Sequence, residues 1–410
     1  MTVRFVVKRE IRHVISAAAG EIYIRGKCMK LYQAANPEMA VRHILQAAME
    51  EKASDVHIAP EEDGVYVRFR KDGKLSMFGK WPLSMAQGFS VRMKVLGGMN
   101  VGETRLPQDG SFSETAGGVT WDFRISVMPT IKGETIVIRI LSGAVGFIEK
   151  NHLGMTEFQR QVFEKRLLRK SGLVLTTGPT GSGKTSTLYA ALKLVLAPEI
   201  SAISIEDPVE YRIHGMTQVQ VNEKAGLTFA KGLKALVRQD PDVVMIGEIR
   251  DRETAEIAVH AALTGHLVLS SLHTNDAVSA AARLTDMGIP PYLLAASLSL
   301  VISQRLAVKL EDEGKEEFTI GTEDIRRDFL PPAFLGKKGY KGNEKGRTGI
   351  FEMLEIGKDE RKALHEKAGS ARLSELMKQQ GQKTIGEIAE ERMEEGMISP
   401  GEAAILYEIR

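Results

Sequence analysis

Apolar and polar positions follow two different patterns along this chain of 410 residues. Between residues 36 and 145, segments such as VYVRFR at 65–70 alternate apolar and polar side chains, which is typical of strands with one face on a core. From residue 146 to 306, short continuous apolar runs alternate with helical segments instead. Continuous apolar strands are typical of a sheet covered on both faces, so this second region is predicted as a parallel α/β domain.

The first region is predicted as a small α+β domain. Asn36 as N-cap and Pro37 as first helical residue begin a helix that runs through MAVRHILQAAMEEKA. Residues 1–35 are interpreted only as an N-terminal extension. Strands are predicted at 53–58, 65–70, 119–128 and 134–141, and a second helix at 84–99.

The α/β region has a clear end in the sequence. Past Arg305 the composition shifts to mixed charge and to a Gly/Lys-rich stretch, and short helical segments follow from Lys358. Residues 307–410 are therefore predicted as a mostly helical C-terminal region. The strands of the α/β region are predicted at 173–177, 202–205, 243–246 and 267–271.

A glycine-rich motif follows the first strand of the α/β region. GPTGSGKT at 178–185 lies between that strand and a helix-forming run, the order that a phosphate-binding loop requires. Backbone N–H groups and the positive end of the helix dipole bind phosphates in such loops. Lys184 is expected to reach the β- and γ-phosphates, and the Thr185 hydroxyl to bind Mg²⁺. The predicted nucleotide-binding residues are Gly178, Pro179, Thr180, Gly181, Ser182, Gly183, Lys184, Thr185 and Ser186.

Carboxylates follow the next two strands, at the edge where open α/β sheets bind ligands. Glu206, Asp207 and Glu210 form an acidic group whose members repel one another unless a cation or water lies among them. A Mg²⁺-nucleotide site is therefore favoured over a solvated acidic turn, and Glu210 is a candidate catalytic residue. Glu248 follows the strand at 243–246 and is the candidate to polarise the attacking water. Gly247 stands at the usual aspartate position of such a strand, so direct metal binding is not expected from it.

Histidines and arginines complete the candidate set. His266 and His273 flank the strand at 267–271, which favours sensing of the γ-phosphate or of a neighbouring subunit over an ordinary structural role. No third ligand supports a zinc site. Phosphoryl transfer also needs positive charge on the transferred group. The first domain offers Arg105, Arg124 and Arg139, which together suggest that it closes over the nucleotide.

Composition excludes several other classes of protein. The net charge of +2 gives no global attraction to nucleic acid or to an anionic membrane, and no aromatic-lined basic stretch suits base stacking. The single cysteine, Cys28, excludes an internal disulfide framework and a Cys₄ zinc site, which fits a reducing cytoplasm. No uncharged apolar run approaches the roughly 18 residues of a membrane span, so contact with a membrane is expected only through partner proteins.

Several motifs together resemble the ATPases of type II secretion and type IV pilus assembly. The resemblance covers roughly residues 36–306 and is specific, because the motifs of both domains occur in the family's order. The segment GYKG…GRTGIFEML at 339–354 is similar to the family's segment just past its zinc finger. The other matching stretches are ASDVHI, RLPQDGSF, DFRISVMPTIKGETIVIRIL, GPTGSGKTSTLYA, ISIEDPVEY, RQDPDVVMIGEIRD and TGHLVLSSLHTNDA.

The resemblance implies a homo-hexameric ATP hydrolase that uses ATP and Mg²⁺. In this family, domain motions turn an inner-membrane platform protein and so extrude pilin subunits. The implied fold is a RecA-like P-loop domain, preceded by a PAS-like α+β domain and followed by a helical C-terminal region. The implied location is the cytoplasm, peripheral to the inner membrane, and no nucleic-acid partner is expected.

The same match implies roles for individual residues. Glu206 to Glu210 corresponds to the family's Asp box, and Glu248 to its Walker B glutamate. His266 and His273 correspond to its His box. Arg124 and Arg139 occur where the family's first domain presents arginines to the phosphates.

Two departures from the family pattern bear on partner docking rather than on ATP hydrolysis. The paired CxxC zinc motif is absent, since no cysteine follows Arg305, so that subdomain is expected to be lost or held by packing. Only about 35 residues precede the match, so the family's longer platform-docking domain is expected to be missing.

Four alternatives to an assembly motor remain open. A pilus retraction motor and a motor of competence DNA-uptake pili belong to the same class of protein. A nucleic-acid translocase is disfavoured by the near-neutral charge. A scaffold that binds ATP without hydrolysing it is disfavoured by the intact Lys184 and Glu248.

Overall fold

The computed structural model describes residues 21–24, 27–30, 36–71, 73–116, 119–141 and 153–408. The chain divides into two compact units, Met1–Ala144 and Val145–Arg410. Most of the predicted N-terminal extension lies outside the described residues. Its described part is an antiparallel pair of short strands, β1 (Glu21–Ile24) and β2 (Lys27–Lys30).

The first unit contains a six-stranded antiparallel sheet in the order β5-β4-β3-β8-β7-β6. Two helices pack on one face of this sheet, and a short 3₁₀ helix, Leu83–Met85, precedes the second of them. Its elements are α1 (Pro37–Glu50), β3 (Asp55–Glu61), β4 (Gly64–Lys71), β5 (Lys74–Trp81), α2 (Ala86–Leu96), β6 (Gln108–Ala116), β7 (Val119–Thr130) and β8 (Gly133–Leu141).

Alternation of side chains explains this arrangement. Every second residue of the central strands, such as Val56 and Phe69, is buried against the helices. The N-cap prediction is confirmed, because Asn36 Oδ1 accepts hydrogen bonds from the N–H groups of Glu38 (2.9 Å) and Met39 (3.3 Å). Strands β5 and β6 were not predicted from the sequence.

The second unit contains a seven-stranded sheet in the order β11-β10-β12-β13-β9-β14-β17, in which only β17 runs antiparallel to its neighbour. A separate antiparallel pair is formed by β15 and β16. The strands are β9 (Gly172–Thr177), β10 (Ala202–Glu206), β11 (Thr217–Gln220), β12 (Val243–Ile246), β13 (Leu267–Leu272), β14 (Leu298–Leu310), β15 (Glu316–Thr319), β16 (Lys338–Lys341) and β17 (Glu344–Glu355).

Helices cover both faces of the seven-stranded sheet. Val174 of β9 packs with α3 and α4 on one face, whereas its neighbours Leu173 and Leu175 pack with α5, α6 and α7 on the other. The strands are therefore apolar throughout, as predicted. The helices are α3 (Glu157–Leu167), α4 (Lys184–Val195), α5 (Phe229–Leu236), α6 (Arg252–Leu263), α7 (Ser279–Asp286), α8 (Pro291–Ser297), α9 (Thr322–Arg327), α10 (Lys358–His365), α11 (Ser370–Gln379), α12 (Ile385–Glu394) and α13 (Pro400–Tyr407), with 3₁₀ turns at Glu223–Ala225 and Pro332–Phe334.

The C-terminal end of the α/β region differs from the predicted boundary at residue 306. Strand β14 continues through that position to Leu310 and pairs along its length with β17. Because β14 lies beside β9 and β17 lies beside β14, residues 344–355 belong to the same sheet as the glycine-rich loop. The region beyond 306 therefore contains the end of β14 and three further strands as well as five helices in its described part, so its first half is not mostly helical.

An apolar cluster holds the segment between β14 and β17 against the last two helices. Ile320, Phe334 and Ile398 are fully buried there, with side chains of α12 and α13 around them. Among the residues that the structure describes, no cluster of three His, Cys, Asp or Glu could hold a metal ion. None of the helices in these described ranges is long and apolar enough to cross a membrane.

Candidate nucleotide site

The glycine-rich loop begins where β9 ends and leads directly into α4 at Lys184, as the sequence predicted. Gly178 and Gly183 adopt positive φ angles of 141° and 88°. A Cβ atom on Gly178 would lie 2.6 Å from the Gln304 carbonyl oxygen, and one on Gly183 would lie 3.1 Å from Gln304 Nε2. These two positions therefore require glycine for both backbone conformation and space.

The lysine of the loop is held by the loop itself. Lys184 Nζ donates hydrogen bonds to the carbonyl oxygens of Gly178 (2.8 Å) and Pro179 (2.9 Å). Burial lowers the pKa of Lys184, the negative charge of Glu248 opposes this effect, and the positive charge of Arg305 adds to it. An ammonium group that is partly desolvated and bound to neutral carbonyls gains free energy when an anionic phosphate replaces water beside it.

The acidic group after β10 is divided between two environments. Glu206 is buried, and its carboxylate accepts hydrogen bonds from the Tyr189 hydroxyl, from Ser204 Oγ (2.6 Å) and from Gln218 Nε2 (3.3 Å). Asp207 is exposed instead, with Oδ2 3.8 Å from Arg250 Nη1.

This division differs from the expected cluster of three carboxylates around one cation. Glu206 is engaged by protein donors because its side chain lies among buried groups at the end of the strand, whereas Asp207 is the first residue past it. Glu210 is partly buried in the loop that follows the cis Asp207–Pro208 peptide bond.

Glu248 and His273 are brought together at the same edge of the sheet. Glu248 follows β12, and its Oε2 lies 3.5 Å from His273 Nε2, just after β13. The other carboxylate oxygen accepts a hydrogen bond from Arg250, which raises the pKa of Arg250. Parallel strands end at one edge, so Glu248 and His273 lie on the side of the sheet where the glycine-rich loop begins.

His266 lies at the opposite edge, which differs from its expected place beside the nucleotide. It precedes β13, whose first residue pairs with Gly172 at the start of β9. Six residues at about 3.3 Å each separate it from the loop edge by roughly 20 Å. Its Nδ1 lies 2.9 Å from the Ala261 carbonyl oxygen and 3.1 Å from Thr264 Oγ1, so it contacts the end of α6. The γ-phosphate role is therefore not available to His266, whereas a structural role at the end of α6 or a role toward a neighbouring subunit is.

Two of the three candidate arginines lie on one face of the first unit. Arg124 of β7 and Arg139 of β8 are directly opposite in the sheet register, on the polar face. Arg139 Nε lies 3.2 Å from Asp55 Oδ1, and Arg70 lies 3.8 Å from the other oxygen of Asp55. Arg105 is in the loop before β6 and forms an ion pair with Glu103 at 2.9 Å.

Comparison with known proteins identifies the family. The family model for the Type II/IV secretion system protein matches residues 32–405, which is most of the chain. The chain belongs to this family. This membership makes it a secretion-type ATPase and confirms the resemblance inferred from its motifs.

Curated relatives of this secretion ATPase come from both kinds of machinery. It is 42% identical over 342 residues to the Type II secretion system protein E of Pseudomonas aeruginosa, covering 82% of this chain and 68% of that protein. It is 41% identical over 357 residues to the Type IV pilus assembly ATPase PilB of Thermus thermophilus, covering 85% of this chain and 40% of that protein. The chain thus spans between about two fifths and two thirds of the length of these relatives.

Solved structures share the fold. The pilus retraction motor PilT with bound ADP superposes with a TM-score of 0.63 at 27% identity, covering 89% of this chain and 96% of that one. The Legionella pneumophila ATPase DotB superposes with a TM-score of 0.66 at 18% identity, covering 89% and 94%. An ATPase fold is therefore shown for this secretion-family chain.

Three residues that contact the candidate site were not anticipated from the sequence. Gln304 of β14 donates from Nε2 to the Ser182 carbonyl oxygen at 2.7 Å. Arg305 donates from Nη2 to the Asn275 carbonyl oxygen at 2.9 Å, in the loop just after His273. Tyr189 binds Glu206, as described above. For Gln304 and Arg305 the sequence signal was a pair of polar residues in the apolar run LSLVISQRL. What that pair does depends on the pairing of β14 with β9.

A buried carboxylate also connects this edge of the sheet to the C-terminal helices. Glu352 of β17 accepts hydrogen bonds from the N–H of Ala277 (2.7 Å) and from the N–H of Ile385 (3.2 Å), the first residue of α12. Burial, which is the largest effect, and Asp276 raise the pKa of Glu352, whereas its hydrogen bonds and Arg305 oppose the rise.

Proposed function

We propose that this chain hydrolyses ATP at the glycine-rich loop and thereby powers assembly of a type II secretion pseudopilus or a type IV pilus. The observation that carries the proposal is the convergence of three groups at one edge of the sheet. They are the loop with Lys184, the carboxylate of Glu248 and the imidazole of His273. The names of relatives from secretion and pilus assembly support the cellular role.

The loop residues hold the phosphates in this mechanism. Lys184 exchanges its two carbonyl partners for the β- and γ-phosphate oxygens, while the N–H groups of the loop and the first turn of α4 complete the cradle. The Thr185 hydroxyl, in that first turn, and the exposed carboxylate of Asp207 are oxygen donors of the kind Mg²⁺ prefers. Mg²⁺ held by these oxygens would neutralise charge on the phosphates.

Glu248 polarises the attacking water. Its carboxylate is already oriented by Arg250 and lies within reach of His273, which senses the γ-phosphate position. Glu206 acts indirectly, because its buried hydrogen bonds fix the end of β10 and so the position of Asp207. Glu210 belongs to the same acidic segment and supports the cation through that segment.

The first unit supplies positive charge in this proposal. Arg124, Arg139 and Arg105 are proposed to stabilise the negative charge on the transferred phosphoryl group. The unit is proposed to be PAS-like, which its helices on one face of an antiparallel sheet support. The second unit is proposed to be RecA-like, which its parallel sheet with the glycine-rich loop after β9 supports.

The working assembly is proposed to be a homo-hexamer in the cytoplasm, bound at the inner membrane through a platform protein and other components of the machinery. Its nucleotide turnover is expected to respond to a fragment of that platform protein and not to single-stranded DNA.

Retraction is the second candidate, because the PilT retraction motor shares the fold at 27% identity. Deletion of the gene separates the two: loss of an assembly motor abolishes pili or secretion, whereas loss of a retraction motor leaves excess pili.

Replacement of Lys184 tests the site. Lys184→Ala is expected to lower phosphate release at saturating ATP on the order of 100-fold or more, because a positioned charge on the transferred group is lost. Lys193→Ala, on the exposed last turn of the same helix, is the matched control and should keep wild-type turnover. Wild-type turnover in Lys184→Ala would exclude this loop as the hydrolysis site.

A further inference from the structure

A buried glutamine from the neighbouring strand holds the glycine-rich loop. Gln304 is 1% exposed in β14, and its backbone carbonyl and side-chain amide lie at the positions that a Cβ on Gly178 or Gly183 would approach. Its Nε2 donates to the Ser182 carbonyl oxygen at 2.7 Å, and Gln304 Oε1 has no hydrogen-bond partner among the described residues. A carbonyl oxygen can only accept, so the amide nitrogen must be the atom that faces Ser182.

This hydrogen bond determines the direction of an N–H group of the loop. The Ser182–Gly183 peptide bond is trans, and in a planar trans peptide the C=O and the N–H point in opposite directions. A donor that holds the Ser182 carbonyl oxygen on the β14 side therefore turns the Gly183 N–H to the other side of the loop. Gly183 has φ 88° and, as a glycine, has no side chain that could stabilise this conformation. The orientation of the peptide therefore depends on its external partner.

Gln304 is an unusual partner because its own amide oxygen is buried without a hydrogen bond among the described residues. A buried amide oxygen without a partner destabilises the folded state, and an apolar side chain of the same length would avoid this loss. The site thus keeps a polar group where packing alone favours methionine or leucine.

We propose that Gln304 is a positioning residue for nucleotide binding, which holds the Gly183 N–H toward the phosphates through the Ser182 carbonyl. This proposal rests on the proposed placement of the nucleotide at the loop. Gln304 does not touch the nucleotide itself. The Gly183 N–H serves bound substrate and transition state alike, so its misalignment weakens affinity and leaves turnover at saturation nearly unchanged.

The test compares Gln304→Met, which keeps the length of the side chain and removes the donor, with the wild-type chain. The dissociation constant for ADP with Mg²⁺ and the KM for ATP should both rise about tenfold, with kcat within about twofold of wild type. The unfolding temperature without nucleotide should change little, because loss of the hydrogen bond and removal of the unpaired oxygen oppose each other.

Gln159→Met is the matched control. Gln159 is also buried and donates from Nε2 to a backbone carbonyl oxygen, that of Phe351 at 2.5 Å, but it belongs to the capping box of α3. The control should lower the unfolding temperature without nucleotide and leave the affinity for ADP unchanged. A milder second variant, Gln304→Asn, cannot reach Ser182 and should show the same loss of affinity as Gln304→Met.

Lys184→Ala distinguishes failure of this proposal from failure of the site. If Lys184→Ala loses ADP binding while Gln304→Met or Gln304→Asn binds within twofold of wild type, the role of Gln304 is overturned and the site stands. If Lys184→Ala itself binds like wild type, the nucleotide does not bind at this loop and both proposals fail. A Gln304 variant that is only less stable, with wild-type affinity, indicates a purely structural glutamine and also overturns the proposal.

Discussion

Replacing Tyr189 by Phe removes one oxygen atom from a buried network beside the glycine-rich loop. Tyr189 is fully buried in α4, and its hydroxyl donates to Glu206 and accepts from the Tyr211 N–H at 3.4 Å. Burial, reinforced by the charge of Glu206, raises the pKa of Tyr189, so the hydroxyl is a neutral donor at every physiological pH. Tyr189→Phe keeps the ring contact with Tyr211 and deletes only the polar atom.

The stability lost in Tyr189→Phe follows from the kind of hydrogen bond that the hydroxyl makes. A hydrogen bond to a charged group contributes about 1.5–3 kcal/mol, and Ser204 and Gln218 still donate to Glu206 in the variant. We therefore expect a loss of about 2 kcal/mol in the free energy of unfolding. For a unit of this size, each kcal/mol lowers the melting temperature by about 2–4 °C, so Tyr189→Phe should melt roughly 4–8 °C lower.

Circular dichroism during heating measures this shift, and ATP hydrolysis at graded Mg²⁺ concentrations measures its consequence for the site. The Mg²⁺ concentration for half-maximal turnover should stay at the wild-type value, because Ser204 and Gln218 still hold Glu206 and so the strand end that positions Asp207. Tyr292→Phe, whose ring is 57% exposed, is the control and should melt within about 1 °C of wild type. A shift below 1 °C in Tyr189→Phe would refute the assignment of Glu206 to a structural network.

Two further predictions concern pH. The raised pKa of Glu352 means that the folded chain binds this proton more tightly than the unfolded chain, so the carboxyl's contribution to stability is lost as pH rises above its ordinary value of 4.5. The stability of wild type relative to Glu352→Gln should therefore fall with rising pH in urea titrations, and a constant difference would contradict the burial effect. Burial and Arg70 lower the pKa of His57, with Arg68 adding and Asp55 opposing, so the first unit should lose stability as pH falls below 6.5. Trp81 and Trp121, the two tryptophans of the chain, report unfolding of this unit by fluorescence, and His57→Gln should flatten its pH dependence.

Local sequence predicted those parts of the fold that depend on local patterns. The glycine-rich loop, the apolar strands β9, β10, β12 and β13, and the N-cap at Asn36 are each determined by a few neighbouring residues. Strand β6, with the polar sequence QDGSFSETA, was missed because it lies at the edge of its sheet and has little apolar alternation.

The pairing of distant segments was not predictable in the same way. Strands β14 and β17 begin nearly fifty residues apart, and GRTGIFEML of β17 follows a Gly/Lys-rich stretch that favours a loop. Gln304 meets its partner through the pairing of β14 with β9, and Glu352 enters the sheet through the pairing of β17 with β14, so their roles had no local signal beyond their polarity. Glu206 was expected to face a cation because sequence shows a carboxylate but not the buried donors around it.

His266 shows an inference that geometry alone could have corrected. Two residues that flank a strand lie at opposite edges of the sheet, so only the one after the strand can meet a loop that follows a parallel neighbour. His273 satisfies this condition and His266 does not.

The position of β17 limits how this chain can be divided. A fragment that stops at residue 306 would cut β14 four residues short and remove the strand that covers its outer side. The main-chain amides of β14, one strand away from the loop, would then form an open edge, and such edges pair with other chains and aggregate. Dissection of this chain by truncation must therefore keep the segment through Glu355, and the last hundred residues cannot be exchanged as a module without rebuilding the sheet.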